Sequence, residues 1–288
     1  MARTQNILWT SGWDSTFQLV RSLINDTSEI QPIYLIDESR SSTAMELLAM
    51  KRIKQQIRTD LPARADSLLP VRFVAVSDLA DNERIAVAFA EVRKRRQIGT
   101  QYEWLGRFCC QFGVSDLQLC IHKDDRAHDA LQNLVEHRDG TLQNYRVTEK
   151  HAGTQEYELF KYYSFPVFDL SKREMQSIAQ ELGFTAIMKL TWFCHAPRDG
   201  MPCGICGPCR FTIEEGLGWR VPYVRRLKSK IVSTVRQLAK DRTKMIPLWQ
   251  SRFVGERIGR RPPQQNHSSQ VPSTQSENCA RGVQRPGA

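Results

Sequence analysis

Four of the eight cysteines stand close together in the chain, in the order C-x8-C-x2-C-x2-C. They are Cys194, Cys203, Cys206 and Cys209, and a glycine follows both the second and the third. This pattern is typical of knuckles whose backbone N–H groups face thiolate sulfurs. Four thiolates with no open position are the ligands of a tetrahedral structural zinc site, whereas iron–sulfur clusters usually show other spacings. The sequence therefore predicts one structural Zn²⁺ in this segment.

A second candidate site lies in the small polar residues after the first apolar run, within Ile7–Val20, ILWTSGWDSTFQLV. Thr10-Ser11-Gly12 predicts a tight turn, and Asp14-Ser15-Thr16 supplies side chains typical of helix N-caps. A strand, a turn and a helix N-terminus aim unpaired N–H groups and the positive end of the helix dipole at one point. That point favours an anion, most often a phosphate. No G-K-[ST] follows, so this is not a Walker loop, and the alternative interpretation is an ordinary capped first βα turn.

The elements that must position these residues alternate between strands and helices. Besides the first strand, apolar runs predict strands at 33–36, 71–76 and 115–121. Helical patterns cover 42–57 and 171–182, and the second begins with the spacing of a capping box. The alternation predicts an α/β fold with a parallel sheet and helices on both faces. Ligands bind beyond the carboxyl ends of such strands, which is where Thr10–Asp14 and Asp37 both fall.

The overall composition is that of an ordinary globular protein. The chain has 288 residues, of which 41% are hydrophobic and 25% charged, with a net charge of +10. No apolar run approaches the roughly 18 residues of a membrane span, and the N-terminus lacks the apolar core of a signal peptide, so we expect a cytoplasmic protein. We expect three parts: a main domain at 1–217 that includes the zinc segment 194–209, a basic amphipathic helical extension at 218–254, and a disordered tail at 255–288.

The basic extension combines an apolar stripe with a high positive charge. Residues 217–262 hold 13 Lys and Arg against Asp241 and Glu256, for a net charge of +11. Apolar residues recur at helical spacing in Val224, Leu227, Ile231, Val235 and Leu238. One interpretation is a helix that docks on the body through this stripe and keeps its basic face in solvent. The other is an anionic partner, such as RNA, DNA, an acidic protein surface or lipid headgroups.

The loop and the cysteine cluster together resemble the 7-cyano-7-deazaguanine synthase family, the PP-loop ATP pyrophosphatases of queuosine biosynthesis. The resemblance covers about residues 5–217. Thr10-Ser11-Gly12-Trp13-Asp14-Ser15 matches the family loop S-G-G-x-D-S, and the four cysteines have the family spacing. Asp37 matches an aspartate that ends the second strand, and Lys172 matches a lysine just inside a helix. The resemblance implies a Rossmann-like parallel sheet of the adenine-nucleotide alpha hydrolase (PP-loop) type with a C-terminal four-cysteine zinc knuckle.

The resemblance also implies what these residues do. Lys172 stabilises charge on the departing pyrophosphate, and Asp14 is a candidate ligand of the Mg²⁺ that accompanies ATP. The reaction adenylates a small-molecule carboxylate, 7-carboxy-7-deazaguanine or a related acceptor, and ammonia or an amine then displaces AMP to give an amide or a nitrile. The residues expected to bind ATP are Thr10, Ser11, Gly12, Trp13, Asp14, Ser15, Thr16 and Asp37.

The chain departs from the family pattern in two places. Ser11 stands where the family has glycine, and Gly99-Thr100-Gln101-Tyr102-Glu103 stands where the family has P-G-R-N. That family segment helps to recognise substrate, so the resemblance supports ATP chemistry more strongly than the deazaguanine substrate. The alternatives are a paralogue that joins a deazapurine or an amine to a protein or small-molecule carboxylate, a tRNA-modifying PP-loop enzyme, and a non-catalytic zinc-bearing nucleic-acid binder. The oligomeric state is open, with a homodimer as one option.

Overall fold

The computed structural model describes residues 4–137, 144–229, 231, 232 and 234. The chain divides into two compact units, Met1–Ser229 and Lys230–Ala288. The first unit holds all the strands and helices named below. The predicted tail at 255–288, and most of the predicted extension beyond Ser229, lie outside the described residues.

A five-stranded parallel sheet forms the centre of the first unit, in the order β3-β2-β1-β4-β7. The parallel sheet confirms the sequence prediction, which did not extend to the strand order. The strands β5 and β6 form a separate antiparallel pair. The order reverses between β1 and β4, so the crevice beyond the carboxyl end of β1 is the topological switch point where ligands bind in such sheets. The strands are β1 Thr4–Leu8, β2 Glu29–Ile36, β3 Arg72–Ala75, β4 Leu117–Gln118, β5 Val135–His137, β6 Tyr145–Val147 and β7 Tyr163–Ser164.

Helices cover both faces of this sheet. They are α1 Trp13–Asn25, α2 Thr43–Asp60, α3 Pro62–Ala65, α4 Glu83–Arg95, α5 Gln101–Phe112, α6 Arg126–Leu131, α7 Gln155–Phe160, α8 Lys172–Glu181, α9 Thr185–Lys189 and α10 Gly207–Thr212. One buried cluster includes Phe17, Met175 and Phe184, where α1, α8 and α9 meet. A second includes Ile85 and Phe108 on the face covered by α4 and α5. Burial on both faces fits the continuous apolar run that ends β2, residues 33–36.

The start of α8 is fixed by the predicted capping box. The backbone N–H of Glu174 donates to the Ser171 hydroxyl at 3.3 Å, and the backbone N–H of Ser171 donates to the Glu174 carboxylate at 2.7 Å. Both interactions satisfy N–H groups that the helix itself leaves unpaired. The helix therefore begins at Lys172, and this side chain lies at the N-terminal end of α8.

The segment after the cysteine cluster is helical, but the described part of its apolar stripe does not pack against the body as one interpretation of the sequence expects. Residues 223–229 are helical, as the apolar spacing predicts. Val224 is 65% exposed and Leu227 43% exposed, so these two members of the stripe do not dock on the body. The expectation of a docked stripe is wrong for them, because the spacing sets which residues share a face but not which way that face points. Ile231, in the second unit, is exposed too, and Val235 and Leu238 lie outside the described residues.

The helix of residues 223–229 contacts the body through a basic side chain instead. The Arg225 guanidinium donates to the carbonyl oxygens of Arg198, Met201 and Pro202 at 3.0, 3.1 and 2.9 Å. All three belong to the loop between the first two cysteines of the cluster. Among the helices of the described part of the chain, none has both the length and the apolar character needed to cross a membrane.

Candidate functional site

The loop between β1 and α1 has the geometry of an anion site. Gly12 is the N-cap of α1, in an extended conformation, and no side chain caps the helix. Ser11 adopts a φ of +56°, in the left-handed region that favours glycine. This is the position where the family pattern has glycine, so Ser11 keeps the backbone shape of the loop at a conformational cost. A Cβ atom at Gly12 would lie 3.3 Å from the Thr10 hydroxyl oxygen, so a side chain there would crowd the loop.

Four polar side-chain atoms of this loop are buried and have no hydrogen-bond partner within the described residues. They are the hydroxyls of Ser11 and Ser15, the indole N–H of Trp13 and the Oδ1 atom of Asp14. A buried polar group without a partner costs about 1–3 kcal/mol, so four of them within five consecutive positions indicate that a ligand normally supplies the missing partners. Three of the four can donate a hydrogen bond, which suits phosphate oxygens, and the carboxylate suits a cation.

Thr16 differs from its neighbours. The indole N–H of Trp9 donates to the Thr16 hydroxyl at 3.0 Å, and both side chains are buried. The backbone N–H of Thr16 bonds the Gly12 carbonyl within the first turn. Thr16 therefore anchors the helix to the end of β1, and the structure does not bring its side chain to the cavity.

A cavity of about 560 Å³ opens beside the loop, at the carboxyl edge of the sheet. Thr10, Gly12, Trp13 and Asp14 line it on the loop side, whereas Ser11 and Ser15 of the same loop do not. Much of the remaining wall is charged or aromatic, and comprises Arg40, Glu46, Tyr102, His122, Asp124, Asp125, Arg126, Lys172, Trp192, Phe193, His195, Phe211, Glu215 and Arg220. The size and the polar lining fit a small, charged ligand.

Lys172 reaches the loop from α8. Its ammonium lies 2.7 Å from the Glu215 carboxylate and 3.9 Å from that of Asp14, and the side chain is mostly buried. Burial lowers the pKa of Lys172, but the charges of Asp14 and Glu215 outweigh burial and leave the pKa raised. The side chain is therefore a cation at neutral pH. The structure brings together Asp14 and Lys172, the two residues predicted to be catalytic.

Glu215 completes this charged group and was not predicted. It lies in the segment Ile213–Leu217, where the helical backbone is interrupted at Gly216, which has a φ of +86°. Burial raises the pKa of the Glu215 carboxyl, although Lys172 and His122 oppose that effect. His122 Nε2 is 3.8 Å from the Glu215 carboxylate, and His122 Nδ1 accepts from the backbone N–H of Asp124.

Arg220 is the second unpredicted residue of the cavity. Its guanidinium lies 4.9 Å from the centre of the Trp13 ring and 4.6 Å from that of Phe193. Its Nη2 donates to the carbonyl and the hydroxyl of Thr191, at 2.7 and 2.6 Å. Burial lowers the pKa of Arg220 to about 10, and the carboxylates of Asp14 and Glu215 oppose that effect. Arg220 therefore remains a cation at neutral pH.

Asp37 lies at the end of β2, as predicted, but it does not line the cavity. Its carboxylate accepts from the backbone N–H and the hydroxyl of Ser39, at 3.0 and 2.6 Å, and so closes a turn. On this side the cavity is lined by Arg40 and Glu46, which form an ion pair of 2.9 Å. The Glu46 carboxylate is buried and also accepts from the hydroxyl of Tyr34.

The four predicted cysteines form one cluster. Their sulfur atoms all lie within 4.8 Å of one another, which can accommodate a tetrahedral zinc ion. The backbone N–H groups of Cys203 and Cys206 donate to the sulfurs of Cys194 and Cys203, at 3.2 and 3.3 Å. Donors aimed at sulfur favour the thiolate form that binds metal. The chemistry and the geometry of the donor set therefore fit the predicted structural zinc.

The cysteine segment is hydrogen-bonded directly to the candidate phosphate loop, which is the loop of residues 10–15 at the start of α1. The indole N–H of Trp192 donates to the Cys194 carbonyl at 2.8 Å, while its backbone N–H donates to the Ser11 carbonyl at 2.9 Å. The hydroxyl of Ser41 donates to the His195 carbonyl at 2.7 Å. Zinc binding would therefore hold the wall of the cavity that carries Trp192, Phe193 and His195.

Sequence comparison connects part of this site with a known family. The family model of the Queuosine biosynthesis protein QueC matches residues 135–217. The matched segment contains Lys172, Glu215 and the four cysteines, and it does not extend to the phosphate loop. The match supports the resemblance inferred from the motifs. No curated protein matches the chain.

Proposed function

We propose that this protein is an ATP-dependent synthase that adenylates a carboxylate and joins it to ammonia or an amine, with release of AMP and pyrophosphate. One observation carries the proposal: the loop from Ser11 to Ser15 holds four buried polar atoms without partners among the described residues, and the cation of Lys172 lies 3.9 Å from Asp14 of that loop. The family match over 135–217 supports an ATP-utilising synthase of the deazaguanine type.

In this proposal the carboxylate attacks the α-phosphorus of ATP. A P–O bond to the acceptor forms, the bond to the β-phosphate oxygen breaks, and pyrophosphate leaves. The N–H groups of the loop, with the Ser11 and Ser15 hydroxyls, hold the β- and γ-phosphates at the N-terminus of α1. Lys172 stabilises the charge that develops on pyrophosphate. Mg²⁺, when bound, would neutralise phosphate charge, and the free Oδ1 of Asp14 is its candidate ligand.

Amide formation then requires a nucleophilic amine. The amine attacks the acyl carbon, the C–O bond to AMP breaks, and the amine loses a proton. When the product is a nitrile, a second ATP activates the amide oxygen, and AMP leaves by elimination. Throughout, the chain mainly positions the reactants and neutralises charge.

Zinc has no role in these steps. The closed set of four thiolates would hold the ion as a structural support for the cavity wall.

A second candidate is a paralogue that uses the same activation on another acceptor, including a protein carboxylate. The observation that favours it is the wall at residues 97–102, where Gln97, Ile98, Gly99, Gln101 and Tyr102 line the cavity. This wall overlaps the segment that lacks the family's P-G-R-N motif. In this proposal the acceptor side of the cavity lacks the family motif, while the phosphate side keeps most of its loop pattern, with Ser11 in place of glycine.

One incubation separates these candidates. Purified protein is mixed with ATP, Mg²⁺, ammonia and 7-carboxy-7-deazaguanine, and products are followed by mass spectrometry. A nitrile or an amide, with one or two equivalents of AMP, supports the deazaguanine synthase. AMP formation only when another carboxylate is supplied supports the paralogue. Protein that neither binds ATP nor forms AMP with any carboxylate would rule out both.

A further inference from the structure

Arg220 has a different setting from the other basic residues near the C-terminal end of the first unit. Its guanidinium lies against two aromatic rings, Trp13 and Phe193, and it lines the cavity. Trp13 directly follows Gly12 of the phosphate loop, and Phe193 directly precedes the first cysteine of the zinc cluster. The side chain therefore bridges the two parts of the candidate site.

The charge of Arg220 is not neutralised by an ion pair. Within the described residues no carboxylate lies within ion-pair distance of its guanidinium, whereas Lys172 has two. Its hydrogen bonds in the same residues all leave from Nη2 and end on Thr191. The carboxylates of Asp14 and Glu215 act on Arg220 only from beyond ion-pair distance. A cation removed from water without a counter-charge in contact is costly, so this arrangement favours an anion in the cavity.

The aromatic contacts also determine which atoms can bind that anion. Rings packed against a guanidinium leave its in-plane N–H groups as the donors that remain free. Nε and Nη1 have no hydrogen bond within the described residues, and neither is a buried, unpartnered atom. Each of these N–H groups can donate to an oxygen of a carboxylate or a phosphate, and a hydrogen bond between two charged groups is stronger than one between neutral groups.

We propose that Arg220 binds an oxyanion of the reactants, through the N–H groups that its bonds to Thr191 leave free, and that it is a binding residue of the site rather than part of a solvated basic extension. The proposal rests on the function proposed above. The oxyanion is either a phosphate group of the nucleotide or the carboxylate of the acceptor, and binding measurements with each ligand separate the two.

The test uses the full chain loaded with zinc, as wild type and as Arg220→Lys and Arg220→Gln. Calorimetry measures the binding of ATP with Mg²⁺, of inorganic pyrophosphate and of 7-carboxy-7-deazaguanine. We expect both variants to bind at least one of these ligands about tenfold more weakly or worse, because a hydrogen bond to a charged group contributes about 1.5–3 kcal/mol. Lysine retains the charge but lacks the planar guanidinium that packs against Trp13 and Phe193 and so holds the donors in place.

A control variant separates binding from structure. Arg226→Gln removes another arginine that lies against a ring, that of Tyr223, but does not line the cavity. It is expected to bind all three ligands as the wild type does. Zinc content and near-ultraviolet circular dichroism show whether each variant is folded.

A measurement on the wild type does not depend on the folding of variants. Phenylglyoxal modifies accessible arginines, and peptide mass mapping locates the adducts. We expect saturating ATP, pyrophosphate or carboxylate to protect Arg220 from modification and to leave Arg173, which is exposed, unprotected.

The outcomes are distinct. Weaker binding of ATP and pyrophosphate alone assigns Arg220 to phosphate, and weaker binding of the acceptor alone assigns it to the carboxylate. Folded Arg220 variants that bind all three ligands like the wild type, or equal modification of Arg220 with and without ligand, overturn this inference and leave the proposed function intact. A wild type that binds none of the ligands overturns both.

Discussion

The backbone N–H of Trp192 donates a hydrogen bond of 2.9 Å to the carbonyl oxygen of Ser11. Trp192 is two residues before the first cysteine of the zinc cluster, and Ser11 is the residue that turns the phosphate loop through a positive φ. The two motifs are far apart in the chain. The metal-binding segment is therefore also a support of the phosphate loop, and events at one should be measurable at the other.

Loss of zinc should weaken nucleotide binding. We expect Cys206→Ser to yield insoluble protein, or soluble protein without metal whose affinity for ATP is reduced. One ligand is lost, and the segment that holds Trp192 against Ser11 loosens. Metal analysis and calorimetry measure the two effects. Cys120→Ala, which removes a thiol outside the cluster, should keep one zinc per chain. A stable, metal-free Cys206→Ser protein with full affinity would contradict the expected coupling.

Asp14 and Lys172 should be required for turnover. We expect Asp14→Ala and Lys172→Gln each to reduce AMP and pyrophosphate formation by at least about 100-fold, the scale seen when a group that stabilises developing charge is removed. Pyrophosphate release with a coupled assay measures the rate, and circular dichroism measures the fold. Lys189→Gln, an exposed lysine outside the cavity, is the matched control and should be fully active. Turnover at the wild-type rate in either site variant would refute the assigned role.

Replacement of Ser11 by glycine should reduce the free energy of unfolding less than replacement of a serine within a helix does. Because Ser11 has a φ of +56°, Ser11→Gly removes a backbone cost of roughly 1–2 kcal/mol, which offsets the greater flexibility of glycine in the unfolded chain. We expect the free energy of unfolding to stay the same or rise. Ser177→Gly in α8 should lower it by about 0.5–1 kcal/mol, and Ser11→Val should lower it more than either. Urea denaturation measures all three. A loss for Ser11→Gly as large as that for Ser177→Gly would contradict the strain argument.

Because Glu215 is buried, it should make the folded protein less stable as the pH rises. Burial raises its pKa above the ordinary value of 4.5, so the folded state binds this proton more tightly than the unfolded chain does. The stabilising contribution is complete below pH 4.5 and is lost as the pH rises through the raised pKa. We therefore expect the Tm of the wild type, relative to Glu215→Gln, to fall as the pH rises through this window. A relative Tm that increases with pH would show that the ion pair with Lys172 dominates.

The parts of the site that could be predicted are those whose chemistry lies in neighbouring residues. The phosphate loop and the cysteine cluster each place several donors or ligands within one short stretch, and the capping box fixed the start of α8 at Lys172. The parallel sheet followed from the alternation of strands and helices. In these cases residues close in sequence are sufficient to specify the local structure, and the fold preserves that structure.

The residues that sequence reasoning missed depend on contacts between distant segments. Glu215 reaches Lys172 from a kinked turn that no propensity predicts, and the sequence assigns Arg220 to the basic extension. A charge count cannot distinguish a guanidinium stacked on Trp13 from one in water. Gly216, with a φ of +86°, is the local signal that the helix is interrupted here. Thr16 is the opposite case. The motif predicts that it binds ATP, but its hydroxyl accepts a hydrogen bond from Trp9 instead.

Arg225 determines where the protein can be shortened without damage. Its guanidinium donates hydrogen bonds to three backbone carbonyls of the loop between the first two cysteines of the cluster. A fragment ending at residue 217, where the family match stops, would leave those carbonyls to water. It should exchange its zinc faster than a fragment ending at residue 229, and the longer boundary is the one suited to recombinant expression.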